Sequence, residues 1–264
     1  EQRHYFRSMH AVCLLSVIPC RAEAADASEM VTQLLFGETC EILEKEEKWW
    51  MIRTSFDDYE CWVDPKQLTE INGAEYKQLN TKSKLFGSSE LVGILQAEDS
   101  VRTLLMGSLL PAADRFEIAG QEFSVQTSCK ALKEKTQRPK LIEDAYMYLN
   151  APYLWGGKGP FGIDCSGFVQ VVFRLNGILL PRDAYQQADI GDTLSFVEEG
   201  QAGDLAFFDN ENGKITHVGI LIDAQHIIHA SGKVRIDRID HQGIFHEENG
   251  TYTHRLRLLK RIIK

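Results

Sequence analysis

Hydrophobic and polar positions alternate in short runs through the first half of the chain. Between residue 11 and about residue 70 the β-rich runs are AVCLLSVI (Ala11 to Ile18), CEILEK (Cys40 to Lys45), KWWMIRT (Lys48 to Thr54) and YECWV (Tyr59 to Val63). Acidic, turn-forming clusters separate them, which is the pattern of a small β-barrel. The run at 11–18 reads as the first strand. Asp64-Pro65 ends the last one, because proline cannot donate to a ladder. A second block, from about 72 to 129, holds LVGIL (Leu91 to Leu95), VRTLL (Val101 to Leu105) and RFEIAGQEFSVQT (Arg115 to Thr127), with glycines where hairpins would turn. The charged stretch Lys130 to Lys140, with Pro139 near its end, reads as a linker into a helix over Leu141 to Leu149.

From residue 140 the order is helix, loop, helix, then strands. The glycine-rich loop at 153–160 leads to Asp164 and CSGFVQVVFRLNG (Cys165 to Gly177). That run is rich in β-branched residues, yet Asp164 suits an N-cap and Gly177 a C′ position. Phe168, Val169, Val172 and Leu175 would form one helical face. Strands follow at DLAFFD (Asp204 to Asp209), HVGILID (His217 to Asp223), HIIHA (His226 to Ala230) and TYTHRLRLL (Thr251 to Leu259). The fold class is α+β, with an antiparallel sheet.

Composition narrows the function. With 264 residues and 44% of them hydrophobic, the chain has ample material for a packed core, which excludes disorder. Its 29 basic against 38 acidic residues give a net charge of −9, a field that repels nucleic acid and anionic lipid. No apolar run approaches the roughly 18 residues of a membrane span. Arg3 and Arg7, then 11–18, then Ala22-Glu23-Ala24 are arranged like a leader, but the chain starts with Glu and His4 and His10 interrupt the pattern. Any true leader is therefore expected upstream of Glu1.

The six cysteines, Cys13, Cys20, Cys40, Cys61, Cys129 and Cys165, form no CxxC pair, and five of them read as small packing residues. Cys165 differs because a thiol in the first turn of a helix faces unsatisfied N–H groups that favour a thiolate. On neighbouring strands joined through 223–225, His217 and His229 would lie side by side and give a Cys, a His and an orienting group, as in papain-like sites. A zinc site from Cys165, His217 and His229 lacks a fourth ligand in the sequence, so no metal or other cofactor is expected. His226 reads as a turn residue, and Trp49, Trp50 and Trp62 as barrel core.

Five segments in order, YLWGGKGPFGIDCSGFV, PRDAYQQA, GDLAFFD, THVGILID and IIHASG, resemble the NlpC-type cysteine peptidases that cut bacterial cell-wall peptides. The two preceding blocks resemble bacterial SH3-like domains, the combination found in the γ-D-glutamyl-L-diamino acid endopeptidases of that family. The resemblance implies a papain-like catalytic domain over 140–264, preceded by two small SH3-like β-barrels (1–70 and 71–130) and a linker (131–139). It implies that Cys165 is the nucleophile, His217 the acid and base, and His229 the residue orienting His217. Tyr153 and the Cys165 N–H would face the oxyanion, and Asp164, Ser166 and Asp183 would line the substrate groove. Glu29 and Tyr59 of the first SH3-like domain would hold the free amine of an N-terminal L-Ala. Where some relatives carry Ser after PRD this chain has Ala184, which removes one substrate contact.

The expected reaction is hydrolysis of the γ-D-glutamyl bond to meso-diaminopimelate or L-Lys in peptidoglycan peptides, in murein turnover or recycling. A monomer of bacterial origin, cytoplasmic or periplasmic, is expected. The alternatives are a papain-like amidase or acyltransferase, and an inactive module that binds cell-wall peptides.

Overall fold

The computed structural model describes residues 9–81, 85–132 and 137–263. The leader-like residues Arg3, His4 and Arg7 and positions 133–136 of the expected linker lie outside them. The chain divides into two compact units, residues 1–132 and 133–264.

In the first unit the run at 11–18 is not one strand. Met9–Val12 (β1) and Val17–Arg21 (β2) flank a turn whose Cys13 and Leu14 are themselves buried. Alternation carries no mark for a turn that faces the core. With Met30–Leu35 (β3), Thr39–Lys45 (β4), Trp50–Thr54 (β5), Glu60–Val63 (β6) and Thr69–Ile71 (β7) they form an antiparallel sheet in the order β3-β2-β6-β5-β4-β1-β7. Asp64 caps the 3₁₀ turn Pro65–Gln67, its carboxylate accepting from the Lys66 N–H. Cys13, Cys20, Cys40 and Cys61 pack with Ile18, Ile52 and Val63 in the centre of this sheet. Of the three tryptophans expected in the barrel core, all half-buried, Trp50 packs against this cluster, whereas Trp49 and Trp62 are not part of it.

A short helix, Gly73–Leu79 (α1), leads to the second block. Its strands are Leu85–Ser88 (β8), Val92–Ala97 (β9), Val101–Leu105 (β10), Leu109–Pro111 (β11), Arg115–Ile118 (β12), Gln121–Val125 (β13) and Cys129–Ala131 (β14). They form two sheets, β10-β9-β13-β12 and β11-β8-β14. Val12, Leu14, Phe36 and Ile71 of the first block share one apolar cluster with Leu95, Leu104, Leu110 and Phe123 of the second. The strands of the two blocks thus stay in separate sheets, while their side chains meet in a shared apolar cluster within one compact unit.

The second unit opens with Arg138–Met147 (α2), three residues ahead of the expected start, because Pro139 is tolerated in a first turn where its missing N–H costs nothing. A two-stranded ribbon, Lys158–Gly159 (β15) and Gly162–Ile163 (β16), precedes Cys165–Leu175 (α3). Gly177 follows α3 at φ 76°, the left-handed position that ends helices at little cost. Every residue of α3 is buried, not one stripe of it, because α3 packs against α2 on one side and against strands of the following sheet on the other.

After Ala184–Gln187 (α4) come Asp192–Leu194 (β17), Leu205–Asp209 (β18), Ile215–Leu221 (β19), His226–Ser231 (β20), Lys233–Asp240 (β21), Gly243–His246 (β22) and Thr251–Arg261 (β23). The sheet order is β17-β23-β18-β19-β20-β21-β22, and the start of β23 also pairs with β22, so the sheet closes on itself. Ala206, Phe208, Leu221, Ile227, Ile239, Ile244 and Leu259 form its apolar interior. No helix among the described residues is long and apolar enough to cross a membrane.

Candidate active site

Cys165 opens α3, and the cap that starts this helix also fixes its surroundings. The Asp164 carboxylate accepts from the Gly167 N–H at 2.7 Å and from the Gly156 N–H at 2.8 Å. Arg182 closes on it as a fork, Nη1 to Oδ1 at 3.0 Å and Nη2 to Oδ2 at 2.6 Å, and Nη1 also donates to the Ser166 hydroxyl at 2.9 Å. Burial alone would lower the Arg182 pKa, but the adjacent Asp164 charge and its hydrogen bonds raise it. Asp164 and Ser166, expected to line the substrate groove, are therefore turned inward, each 6% exposed and engaged by protein. Asp183 precedes α4, with its N–H donating to the Gln186 side chain at 3.1 Å, and is half-buried.

The Cys165 thiol lies beside β19, where it accepts from the N–H of Val218, the residue after His217. Burial pushes it up to about 12, the Asp164 charge adds to that, and the N–H groups of Val218 and Ser166 together with Arg182 pull the other way. Desolvation thus works against the thiolate that the helix terminus favours. Tyr153 is held by its N–H donating to Gly232 O at 3.0 Å. Burial, then the charges of Cys165 and Asp164, raise its phenol to about 12, so it stays a hydrogen-bond donor near the thiol.

Three consecutive strands bring the histidines together. On β19, His217, Gly219 and Leu221 share a face; His229 shares that face with Ile227 on β20, and Asp237 with Ile239 on β21. Gly219 sits directly opposite His229, which places His217 Nε2 2.8 Å from His229 Nδ1. His229 Nε2 in turn lies 2.9 Å from Asp237 Oδ2. Arg235 grips Asp237 with Nε at 2.6 Å from Oδ2 and Nη2 at 2.8 Å from Oδ1.

From β23 the ring of His254 stacks on that of His217, with Phe208 tilted against His217 and edge-on to His254. Desolvation, then repulsion by His229 and His254, holds His217 well below the usual imidazole range. Desolvation lowers His254 to about 4 and also lowers His229, against the pull of Asp237. Burial would raise the Asp237 carboxyl, but hydrogen bonds from His229 and Arg235 outweigh it and hold it at about 2. No group of three or more His, Cys, Asp or Glu side chains among the described residues is arranged to hold a metal ion.

His226, expected in the turn, is instead the first residue of β20; it is half-buried, with Nδ1 3.0 Å from the carboxylate of Asp223 in the preceding turn. In the first unit Glu29 is exposed at the start of β3, and its carbonyl accepts from Ala22. Tyr59 is half-buried just before β6 and packs against the thiol-rich core. Because β3 and β6 both flank β2, these two residues stand at the same end of the sheet.

Arg182, Asp237, Arg235 and His254 were not singled out by the sequence. Arg182 lies inside the matched PRDAYQQA segment, one residue from Asp183, so a signal was present for it. Asp237 sits in the alternating run KVRIDRID and His254 in TYTHRL, where nothing distinguishes them from exposed strand residues.

Residues 150–251 match the NlpC/P60 family, and residues 20–68 match the bacterial dipeptidyl-peptidase SH3 domain. The chain is 29% identical over 217 residues to the gamma-D-glutamyl-L-lysine dipeptidyl-peptidase of Bacillus subtilis, covering 75% of this chain and 71% of that protein. It is 25% identical over 260 residues to dipeptidyl-peptidase 6 of Lysinibacillus sphaericus, covering 89% and 93%. A crystal structure of an NlpC/P60 family protein from Bacillus cereus superposes with a TM-score of 0.82 at 20% identity, over 97% of this chain and all of that one.

Proposed function

We infer, from the premise that the chain is a cysteine peptidase of the NlpC/P60 family, that it hydrolyses the bond between γ-D-glutamate and a diamino acid, meso-diaminopimelate or L-Lys. The substrates are peptidoglycan peptides with a free N-terminal L-Ala, and the role is murein turnover or recycling. The names of the relatives support the bond type, and the match to their SH3 domain supports a substrate defined at its amino end. The observation that carries the chemistry is the thiol at the first turn of α3 beside β19, with His217 in contact with His229.

Cys165 Sγ attacks the γ-carbonyl carbon while its proton passes to His217. Tyr153 and the Cys165 N–H donate to the oxyanion. His217 returns that proton to the departing amine, the C–N bond breaks, and a thioester to Cys165 is left. Water, deprotonated by His217, cleaves the thioester and releases L-Ala-γ-D-Glu and the thiol. A thiol with a neutral imidazole is a suitable resting pair, because the proton moves only when attack occurs. His229 orients His217, while Asp164 and Ser166 act by holding the start of α3 and Asp183 borders the groove. Glu29 and Tyr59 are assigned to the free amine of L-Ala, where a carboxylate is the natural partner of an ammonium group.

Mass spectrometry of products from a panel of tri- and tetrapeptides, with free and acylated amino termini, tests the reading. The expected result is L-Ala-γ-D-Glu from the free-amine peptides alone, abolished by Cys165→Ala with folding intact. Turnover of N-acyl or lipid substrates instead, or binding without turnover, overturns it. Glu29→Gln is expected to raise KM for free-amine peptides and leave kcat in place.

A further inference from the structure

The contact between His217 and His229 joins two rings that can each carry a proton on either nitrogen, so the contact alone does not decide which nitrogen of His217 is free to act as a base. Asp237 decides it. Its carboxylate has no hydrogen to give, so the nitrogen it faces, His229 Nε2, must be the donor at 2.9 Å. The other nitrogen of neutral His229, Nδ1, is then an acceptor, and at 2.8 Å it takes the Nε2–H of His217. That leaves His217 Nδ1 without a proton.

We propose that Asp237 is the positioning residue that sets this order of protons, Asp237 to His229 to His217, and so delivers His217 to Cys165 with Nδ1 as the basic nitrogen. The inference rests on His217 being the base in the proposed function. Arg235 secures the arrangement by donating to both carboxylate oxygens. The charged and titratable groups around the pair are Arg235 and Asp237 on β21, His217 on β19, His246 on β22 and His254 on β23. Only Asp237 among them both touches the His229 ring and is unable to donate. His229 is 1% exposed and Asp237 7%, so no water competes freely for this order.

The test begins with the wild-type protein labelled with ¹⁵N-histidine, in which one- and two-bond couplings report the protonated nitrogen of each ring. Nε2–H on both His217 and His229 is expected, and Nδ1–H on His229 overturns the proposal whatever any variant does. Asp237→Leu removes the acceptor at similar volume, whereas Asp237→Asn keeps one oxygen, held toward His229 because His229 Nε2 and Arg235 Nε both donate to that position. Asp237→Leu is expected to give a mixed tautomer at His229 and to lower kcat about 100-fold with KM unchanged, as for loss of a general base. Alkylation of Cys165 by iodoacetamide falls in parallel. Asp237→Asn keeps most of both rates.

An Asn variant that falls as far as the Leu variant means that charge, not proton order, is what Asp237 supplies, and overturns the proposal. So does a Leu variant that is alkylated at the wild-type rate. Alkylation needs no peptide substrate, so a wrong assignment of the hydrolysed bond leaves this result untouched.

Discussion

The imidazole of His254 lies almost flat on that of His217, with ring centroids 4.2 Å apart and planes inclined by 28°. The two rings come from strands far apart in the chain, and Phe208 closes the stack from the side. His217 is thus gripped in two ways, by a hydrogen bond through Nε2 and by packing on its face. The hydrogen bond sets the direction of the ring and the stack sets its tilt. His254→Ala is expected to lower kcat about tenfold with little change in KM, because a small misplacement of a reacting group is costly. His254→Phe keeps the flat surface and most of the rate, and steady-state kinetics on the two variants separate packing from charge.

The fork between Arg182 and Asp164 is buried, with side-chain exposures of 1% and 8%. Removing one partner strands the other charge, so Arg182→Ala is expected to cost about 3–5 kcal/mol in urea unfolding. Arg182→Lys recovers only part of this, since an ammonium cannot span both oxygens.

Gly219 is the close-approach position of the site. A Cβ there would lie 2.8 Å from His229 Cβ and 2.7 Å from Ile227 Cδ1. Gly219→Ala must push β20 and its histidine away, at about 1–3 kcal/mol in stability. The rate is expected to fall further than stability alone would suggest, and comparing kcat with the thermal midpoint of the variant checks it.

Acid dependence follows from the neutral histidines. His217, His229 and His254 have folded pKa values below the ordinary 6.5, so the unfolded chain binds more protons than the native one in that range. Their contribution to stability is complete above pH 6.5 and is lost as pH falls below it, for His254 toward about 4. The acid limb of kcat/KM is likewise expected below pH 6.5, since His217 keeps its basic form there. Unfolding and kinetics measured from pH 7 down to pH 4 test both, and a limb at or above pH 6.5 contradicts the burial argument.

The place of Cys165 at a helix start and the meeting of His217 with His229 are legible in the sequence because local rules set each one: a cap before a helix, and period two along strands. Asp237 and His254 are not, because their roles depend on which strands become neighbours. Closing the sheet through the pairing of β22 with β23 brings His254 over His217, and no pattern within TYTHRL announces that closure. The shared core of the first unit was hidden for the same reason. Val12 and Phe36 read as strand or turn residues of their own block, and only the packed structure shows them meeting Leu95 and Phe123.

The meander of β19, β20 and β21 also bears on how the enzyme acquires its activity as it folds. His217, His229 and Asp237 meet through two tight connections between successive strands, so bringing them together closes only short loops and costs little chain entropy. The thiol comes from far upstream and reaches them only when α3 docks on the sheet. In the proposed mechanism the acid–base half of the site is therefore a local object and the nucleophilic half a long-range one. A chain that has formed its hairpins but not its helix–sheet interface is chemically unarmed, and turnover is a report on that last docking step.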